Sequence, residues 1–220
     1  MKDVYGREWR CALSGEALTG IQAGVMKSRY RGRLCQKSPF DAVIYCQLIQ
    51  SLLPQTIIEI GTKEGGSVLW FADMQSNHGI KGRVVCVDIK PLSEPLNDDR
   101  VDFRIGSALD LSACLPTDYL GSLPHPWLVI EDSAHTYETS SAVLQFFHRH
   151  LSIGDYIVIE DGIVQFLPDP KYLRYENGPN RAVADFLMHA HGAYQVAGHL
   201  CDYFGYNVTY NPNGYLVRVA

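Results

Sequence analysis

The stretch TIIEIGTKEGGS, residues 56–67, decides the fold of this chain. Its first five residues are mostly apolar and β-branched around Glu59, which is typical of a buried strand. Glycines follow at Gly61, Gly65 and Gly66, and the last pair opens a helical pattern. A strand, a glycine-rich turn and a helix place free backbone N–H groups at the carboxyl end of a strand, where nucleotide-like ligands bind in open α/β sheets.

The spacing of this turn, E-x-G-x-x-x-G-G, differs from the dinucleotide pattern G-x-G-x-x-G. It is common in proteins that bind S-adenosylmethionine (SAM), whose methionine end needs a close approach to the backbone and which has no pyrophosphate. The turn therefore predicts a SAM site, with a nucleotide-type fold that does not bind SAM as the alternative.

Composition excludes several classes of protein. A length of 220 residues suits one α/β domain with a full core. No apolar run approaches the roughly 18 residues that cross a membrane, and the charged N-terminus is unlike a signal peptide. A net charge of −5 gives no reason to expect nucleic-acid binding. Six scattered cysteines without a C-x-x-C pair argue against zinc and fit a reducing cytoplasm, so we expect a cytoplasmic protein.

Strand-like and helix-like segments alternate from residue 38 onward. Ser38, Pro39 and Asp41 predict the start of a helix that Pro54 ends. Strands are predicted at 57–60, 84–88, 101–105, 127–131 and 156–159, and helices at 67–74, 138–151 and 181–191. Two more strands, near 194–200 and 215–219, have no helix between them and predict an antiparallel pair at the sheet edge. The expected fold is α/β and Rossmann-like: a mostly parallel seven-stranded sheet with an antiparallel edge strand and helices on both faces.

Residues 1–37 and two later segments lack the alternating pattern. We divide the chain into an N-terminal extension or lid, residues 1–37, and a domain, residues 38–220. Ser14 could cap a short helix toward Met26. The basic stretch 30–37 favours a solvated connector over a lid that contacts ligand. An irregular segment is expected over 108–126 and a long loop over 162–180.

Polar residues after the second and third strands are candidates for the adenosine side of the site. Asp88 ends the second strand, where an acid can accept hydrogen bonds from both ribose hydroxyls; a turn or cap role is the alternative. Ser107 and Asp110 follow the third strand and could line an adenine pocket, or cap the turn in which they lie.

Acids also end the fourth and fifth strands, at Asp132 and at Glu160 and Asp161. Neighbouring strands lie roughly 5 Å apart, so these side chains should meet at one edge of the sheet. Clustered carboxylates repel each other unless a cation compensates, and hard oxygen ligands suit Mg²⁺, Mn²⁺ or Ca²⁺. Separate helix caps and turn acids are the alternative.

His135 lies three residues after Asp132 and just before a predicted helix. A helix N-terminus disfavours imidazolium, so the ring would be neutral and able to accept a proton. A packing or capping role is the alternative. Four tyrosines of the C-terminal third could wall the acceptor side or be ordinary half-buried residues: Tyr172, Tyr175, Tyr203 and Tyr206.

Four segments together resemble the cephalosporin hydroxylase and rhamnosyl O-methyltransferase family of SAM-dependent enzymes. They are IIEIGTKEGGSVLWFADM, WLVIEDSAHTYE, YIVIEDGI and YNPNGYLVRV, spread over residues 56–219, whereas residues 1–37 match poorly. The resemblance implies a SAM methyltransferase fold whose members use SAM and a divalent cation, usually Mg²⁺, to methylate a hydroxyl of a sugar or natural product. It also implies a small-molecule acceptor, with neither nucleic acid nor membrane as partner, and a homo-oligomer.

The resemblance assigns roles residue by residue. It implies that Asp132, Glu160 and Asp161 bind the metal, that His135 acts as general base, and that Glu59, Gly61, Gly65, Ser67 and Asp88 contact SAM. To these we add Asp132 as a second catalytic residue. From the turn and the third strand we add Thr62, Gly66, Ser107 and Asp110 as cofactor-binding residues. Two alternatives remain: a metal-dependent hydroxylase, although no clear second histidine is available for an iron site, and a non-catalytic module that senses SAM or a nucleotide.

Overall fold

A computed structural model describes residues 6–220. Its strands are β1 (Arg29–Tyr30), β2 (Arg33–Leu34), β3 (Thr56–Ile60), β4 (Arg83–Asp88), β5 (Val101–Ile105), β6 (Trp127–Glu131), β7 (Tyr156–Ile159), β8 (Tyr194–Val196) and β9 (Tyr215–Arg218). Its helices are α1 (Gly15–Val25), α2 (Pro39–Leu52), α3 (Gly66–Asn77), α4 (Thr117–Gly121), α5 (Tyr137–His148), α6 (Gly178–His189) and α7 (Gly198–Cys201). None of the helices within residues 6–220 is long and apolar enough to span a bilayer.

The main sheet has seven strands in the order β5-β4-β3-β6-β7-β9-β8. The pairs from β5 to β7 are parallel, and β9 runs antiparallel to both β7 and β8. The predicted Rossmann-like sheet is therefore confirmed, although its antiparallel strand lies one position in from the edge that β8 forms. The chain order reverses between β3 and β6, which is the point where open α/β sheets bind ligands.

Helices cover both faces of the sheet, so its central strands are buried and mostly apolar. All five residues of β3 and all five of β6 are buried. Ile44 of α2 and Phe71 of α3 pack in the core on one face. Val143 of α5 and Phe186 of α6 pack in the core on the other.

Helix starts follow the predicted caps. The Ser38 hydroxyl accepts a hydrogen bond from the Asp41 N–H, Pro39 occupies the first turn, and α2 ends at Leu52. Ser14 caps α1 in the same way. Because Ser and Pro satisfy or remove N–H groups that a helix start leaves free, both starts were readable from sequence.

Two segments are more regular than predicted. The stretch 108–126 contains a 3₁₀ turn at Leu111–Ala113 and the short helix α4. The loop predicted over 162–180 contains 3₁₀ turns at Gly162–Gln165 and Pro170–Tyr175, and α6 already begins at Gly178. Such short turns leave no helical period in the sequence, which is why the prediction missed them.

The basic stretch 30–37 is not a solvated connector, so that interpretation was wrong. β1 and β2 form a hairpin on the N-terminus of α3, where the Leu34 carbonyl oxygen lies 2.2 Å from the place that a Cβ on Gly66 would occupy. Arg33 donates to the Glu64 carbonyl at 2.8 Å. Lys37, at the end of this stretch, is buried. Glycine at position 66 therefore lets the hairpin close over the cofactor turn.

A buried carboxylate, Asp41, joins α2 to the segment before β9. It accepts hydrogen bonds from the Tyr215 hydroxyl at 2.7 Å and the Tyr210 N–H at 2.8 Å, and from the hydroxyls of Thr209 and Ser38. Asp41 is 2% exposed, so these groups have no access to water as an alternative partner.

We predict that Asp41→Ala destabilises the fold by about 3–5 kcal/mol, because it strands several buried donors at once. Denaturant unfolding measures this cost. Asp118→Ala, in the exposed first turn of α4, is the matched control and should change stability by less than about 0.5 kcal/mol. Equal effects of the two substitutions would contradict the structural role of Asp41.

Candidate active site

A cavity of about 1020 Å³ opens at the carboxyl ends of β3, β4 and β6. Gly61 and Asp88 line one part of it, and Asp132, His135 and Asp161 line another. The cavity therefore brings the predicted cofactor turn and the predicted acid cluster into one space.

At Gly61 the backbone of the turn after β3 packs directly against the backbone at the end of β6. Its φ is +98°, and a Cβ there would lie 2.1 Å from the Asp132 carbonyl oxygen. The Asp132 N–H in turn donates to the Ile60 carbonyl at 2.8 Å. Only glycine permits both the backbone angle and the close approach.

Asp88 caps the glycine-rich turn. One carboxylate oxygen accepts from the N–H groups of Thr62, at 3.0 Å, and Lys63, at 2.8 Å, and the other from Lys90 at 3.0 Å. The turn role that we considered as the alternative is therefore present. Asp88 nevertheless lines the cavity, and the oxygen that accepts only from Lys90 keeps a second lone pair for a ligand hydroxyl.

The nine predicted cofactor residues divide into two groups. Five line the cavity: Gly61, Thr62, Ser67, Asp88 and Ser107. Four lie outside its wall: Glu59, Gly65, Gly66 and Asp110. Gly65 and Gly66 are covered by Leu96 and by the hairpin, and Asp110 accepts the Ser112 hydroxyl at 2.7 Å. This second group shapes the turns around the cavity.

Glu59 lies beneath the cofactor turn and is fully buried. Its carboxylate accepts from the Ser67 hydroxyl at 2.8 Å and lies 3.2 Å from the Lys37 ammonium. Burial raises the pKa of Glu59, and Lys37 opposes that shift. Glu59 therefore supports the turn from below.

Asp132, His135 and Asp161 form a group that could hold a metal ion. One ligand atom from each lies within 4.8 Å of the others. His135, at φ +56°, and Asp161, at φ +59°, both adopt the left-handed conformation that is uncommon outside glycine. The Asp161 N–H donates to the Asn211 side chain at 3.1 Å, which holds that conformation. Such strain is concentrated at functional sites.

Glu160, the third predicted metal ligand, turns inward from this group. Its two oxygens accept from the Lys37 ammonium at 2.6 Å and from the Tyr45 hydroxyl at 2.5 Å. Lys37 also donates to Asp132 at 2.6 Å. The structure thus brings all three predicted acids to one place but separates them into an outer pair, Asp132 and Asp161, and an inner acid, Glu160.

Burial and the close packing of charges shift the pKa values of the groups in this cluster. Burial raises the pKa of Asp161 to about 6, although the neighbouring His135 opposes the shift. Burial, reinforced by Asp132, raises the pKa of Glu160 well above its ordinary value. For Lys37, burial would lower the pKa, but Asp132 and Glu160 outweigh it and the pKa is raised. The ammonium therefore keeps its charge in a buried position.

His135 lines the cavity together with Asp132 and Asp161. Its Nε2 lies 3.4 Å from an Asp161 carboxylate oxygen, and its ring meets the Tyr175 ring edge-on at 5.7 Å between centroids. It directly precedes Thr136, the cap of α5. The Asp161 carboxylate and the Tyr175 ring therefore both contact the imidazole of His135.

Tyrosine rings line the part of the cavity beside His135. Tyr172 and Tyr175 stack with 6.4 Å between centroids, and both line the cavity as predicted. Tyr210 joins them, and its buried hydroxyl has no hydrogen-bond partner within residues 6–220. The prediction was wrong for Tyr203 and Tyr206, which lie outside the wall; the Tyr206 hydroxyl instead accepts from the N–H of Glu8 at 2.7 Å.

Sequence reasoning missed Lys37, Tyr45, Tyr210 and Asn211. Lys37 lies in a stretch that reads as solvated, and Tyr45 lies within an ordinary helical pattern. The one sequence signal for Lys37 is that it directly precedes Ser38, the predicted cap of α2, which fixes where its backbone lies in the fold. Nothing in the sequence indicates that its side chain reaches acids on three strands.

The donor set fits a hard divalent cation. The Lys37 ammonium contacts three carboxyl groups, those of Glu59, Asp132 and Glu160, and Asp161 lies beside Asp132, so acidic groups outnumber the single ammonium. Two of these acids face the cavity beside His135. Carboxylate oxygens are the ligands that Mg²⁺ prefers.

Comparisons with known proteins identify the family of this chain. The family model described as rhamnosyl O-methyltransferase/CmcI matches residues 23–219, so the match begins within the segment that we expected to fit poorly. A rhamnosyl O-methyltransferase of Mycobacterium bovis (strain BCG / Pasteur 1173P2) is 29% identical over 202 residues, covering 87% of this chain and 78% of the relative. The Mycobacterium leprae (strain TN) rhamnosyl O-methyltransferase is also 29% identical, over 86% of this chain and 82% of its own.

Solved structures show the same similarity. A CmcI structure with Mg and SAM is 26% identical and superposes with a TM-score of 0.67, covering 89% of this chain and 78% of the other. An apo-structure of CmcI, 24% identical, has the same fold with a TM-score of 0.68 and covers 100% and 89% of the two chains. This chain therefore belongs to the rhamnosyl O-methyltransferase/CmcI family.

Proposed function

We propose that this protein is a SAM- and divalent-metal-dependent O-methyltransferase that acts on a hydroxyl of a sugar or natural-product small molecule. The observation that carries the proposal is the shared cavity, in which the Gly61 turn touches the acid cluster through the Asp132 backbone. A methyl donor on the turn and a hydroxyl at the acids would then lie side by side. Membership of the family supports the reaction class, and the curated relatives support a sugar hydroxyl.

The turn would bind SAM. Gly61 and Thr62 offer a close backbone approach, and the Asp88 oxygen that accepts only from Lys90 would accept from a ribose hydroxyl. Ser107, which also lines the cavity, would contact the adenine. When bound, SAM supplies a methyl group already activated by its positive sulfur, so the residues of the cavity act mainly by orientation.

Asp132 and Asp161 would hold Mg²⁺ at the cavity, with Glu160 as the third ligand. Glu160 accepts from Lys37 and Tyr45, but each carboxylate oxygen has a second lone pair, so it can still bind a cation. When bound, Mg²⁺ favours the alkoxide form of a hydroxyl and orients it. One histidine, His135, lies beside these acids, whereas the iron sites of many hydroxylases need two.

His135 would take the proton from the acceptor hydroxyl as general base. Asp161, 3.4 Å from its Nε2, stabilises the imidazolium that results. The hydroxyl oxygen then forms a bond to the methyl carbon while the bond from that carbon to sulfur breaks, which leaves S-adenosylhomocysteine (SAH). The Tyr172 and Tyr175 rings would pack against the acceptor, and the unpaired Tyr210 hydroxyl could donate to it.

We predict that Gly61→Ala weakens SAH binding at least tenfold, because the new Cβ would collide with the Asp132 carbonyl. Calorimetry with SAH measures the change. Gly79→Ala is the matched control: Gly79 also has a positive φ, of +71°, but nothing lies within 4 Å of its Cβ position. Unchanged affinity in Gly61→Ala would show that the turn does not hold the cofactor.

We predict that His135→Gln lowers methyl transfer about 10²–10⁴-fold while SAH and Mn²⁺ binding persist, since the variant removes the base and keeps the acids. Radiolabelled SAM and a panel of glycosides and hydroxylated natural products provide the assay. His189→Gln, at an exposed position on α6, is the control. Equal turnover of His135→Gln and the wild type would contradict the base assignment.

We predict that a chelator abolishes turnover and that Mg²⁺ restores it. Asp161→Asn should weaken Mn²⁺ binding at least tenfold in electron paramagnetic resonance titrations, because it removes a charged ligand that faces the cavity. Asp185→Asn, on α6 outside the cavity, is the control. Full activity in chelator would sink the metal role while leaving the cofactor assignment intact.

A further inference from the structure

Lys37 occupies the centre of the carboxylate cluster. Its ammonium lies 2.6 Å from Asp132, 2.6 Å from Glu160 and 3.2 Å from Glu59. These acids come from the ends of β6, β7 and β3, which are neighbours in the sheet. The lysine side chain is only 4% exposed. A single ammonium therefore joins three adjacent strands at the edge where the cavity opens.

The cluster divides into two halves around this ammonium. Glu59 and Glu160 form the inner half; both are buried and neither lines the cavity. Asp161 and His135 form the outer half and line the cavity. Asp132 belongs to both, because it accepts from Lys37 and also offers an oxygen to the outer group.

We propose that Lys37 is a resident counter-cation of the metal site, which neutralises the inner carboxylates and shares Asp132 with the divalent ion. The inference rests on the proposed function for its metal, but the role of the lysine at Glu160 does not depend on any ion. Lys37 acts as a positioning residue: it fixes Asp132 and Glu160 in place through direct hydrogen bonds. Buried charges of one sign are tolerated only when a partner of the other sign is close.

The same lysine connects the metal site to its surroundings. Glu59, its third partner, accepts the Ser67 hydroxyl at the start of α3, next to the cofactor turn. On the chain, Lys37 follows the hairpin that covers this turn and precedes the Ser38 cap of α2. Loss of the Lys37 charge should therefore disturb the inner acids and, through Glu59 and Ser67, the start of α3 beside the cofactor turn.

The test compares thermal unfolding of the wild type and Lys37→Met, each in chelator and in saturating Mg²⁺. We expect Lys37→Met to lower the Tm in chelator by roughly 10 °C, because it leaves buried acids without their partner. Mg²⁺ should raise the Tm of the variant more than that of the wild type, since the ion then supplies a charge that the wild type already contains. Lys81→Met, at an exposed turn, is the control and should match the wild type.

A second comparison of variants tests the role of Lys37 in the absence of metal. Glu160→Gln removes the inner charge, so Lys37→Met/Glu160→Gln in chelator should be more stable than Lys37→Met alone. If Lys37→Met does not fold, folding of the double variant supports the proposal in the same way. Lys37→Met as stable as the wild type in chelator would overturn it. A loss of stability, or of folding, that neither Mg²⁺ nor Glu160→Gln relieves would also overturn it, because lost packing would then be the cause.

The two arms separate this proposal from the proposed function. If Glu160→Gln rescues Lys37→Met but Mg²⁺ shifts neither the wild type nor the variant, Lys37 is retained as counter-cation of Glu160 and its sharing of Asp132 with a metal is refuted. That same result would contradict the metal-dependent reaction. If Mg²⁺ stabilises the wild type and neither treatment rescues Lys37→Met, the metal site is retained and the role of the lysine is refuted.

Discussion

The structure depends on how acidic side chains are kept together at one edge of its sheet. Parallel strands β3, β6 and β7 end side by side, and each brings a carboxylate to that edge: Glu59, Asp132 and Glu160. Such a group is unfavourable in a buried setting unless positive charge compensates it. Lys37 supplies one such charge, and the excess of acid that remains toward the cavity is what makes a cation site chemically reasonable there.

The backbone adds a second constraint to this edge. Gly61 lets the turn after β3 touch the carbonyl of Asp132, so the cofactor turn and the acid cluster cannot move independently. Asp161 and His135 are held in left-handed conformations, one of them by Asn211. The hydroxyl acceptor, the base and the methyl donor of the proposed reaction would therefore meet in a geometry that exists before any of them binds, which is how orientation contributes to rate.

The sequence predicted those features that depend on local chemistry or period. The order of strands and helices followed from apolar runs and caps such as Ser38, and the acids at the strand ends were placed together because parallel strands end at a common edge. Features that depend on long side chains were not predictable. The contacts of Lys37 with Asp132 and Glu160, and the inward turn of Glu160, join residues more than 90 positions apart in the chain. The 3₁₀ turns of 162–175, which carry Tyr172 and Tyr175, leave no repeating pattern.

The N-terminal segment is part of the site, although its sequence reads as a solvated connector. Its hairpin covers the cofactor turn, which requires glycine at position 66, and its last residue, Lys37, enters the acid cluster. The next residue, Ser38, starts α2 and bonds to Asp41, whose carboxylate holds the segment before β9. That segment includes Asn211, which positions Asp161. A continuous set of polar contacts therefore runs from Lys37 around the cavity to Asp161, so the inner and outer halves of the acid cluster are positioned by the same piece of chain.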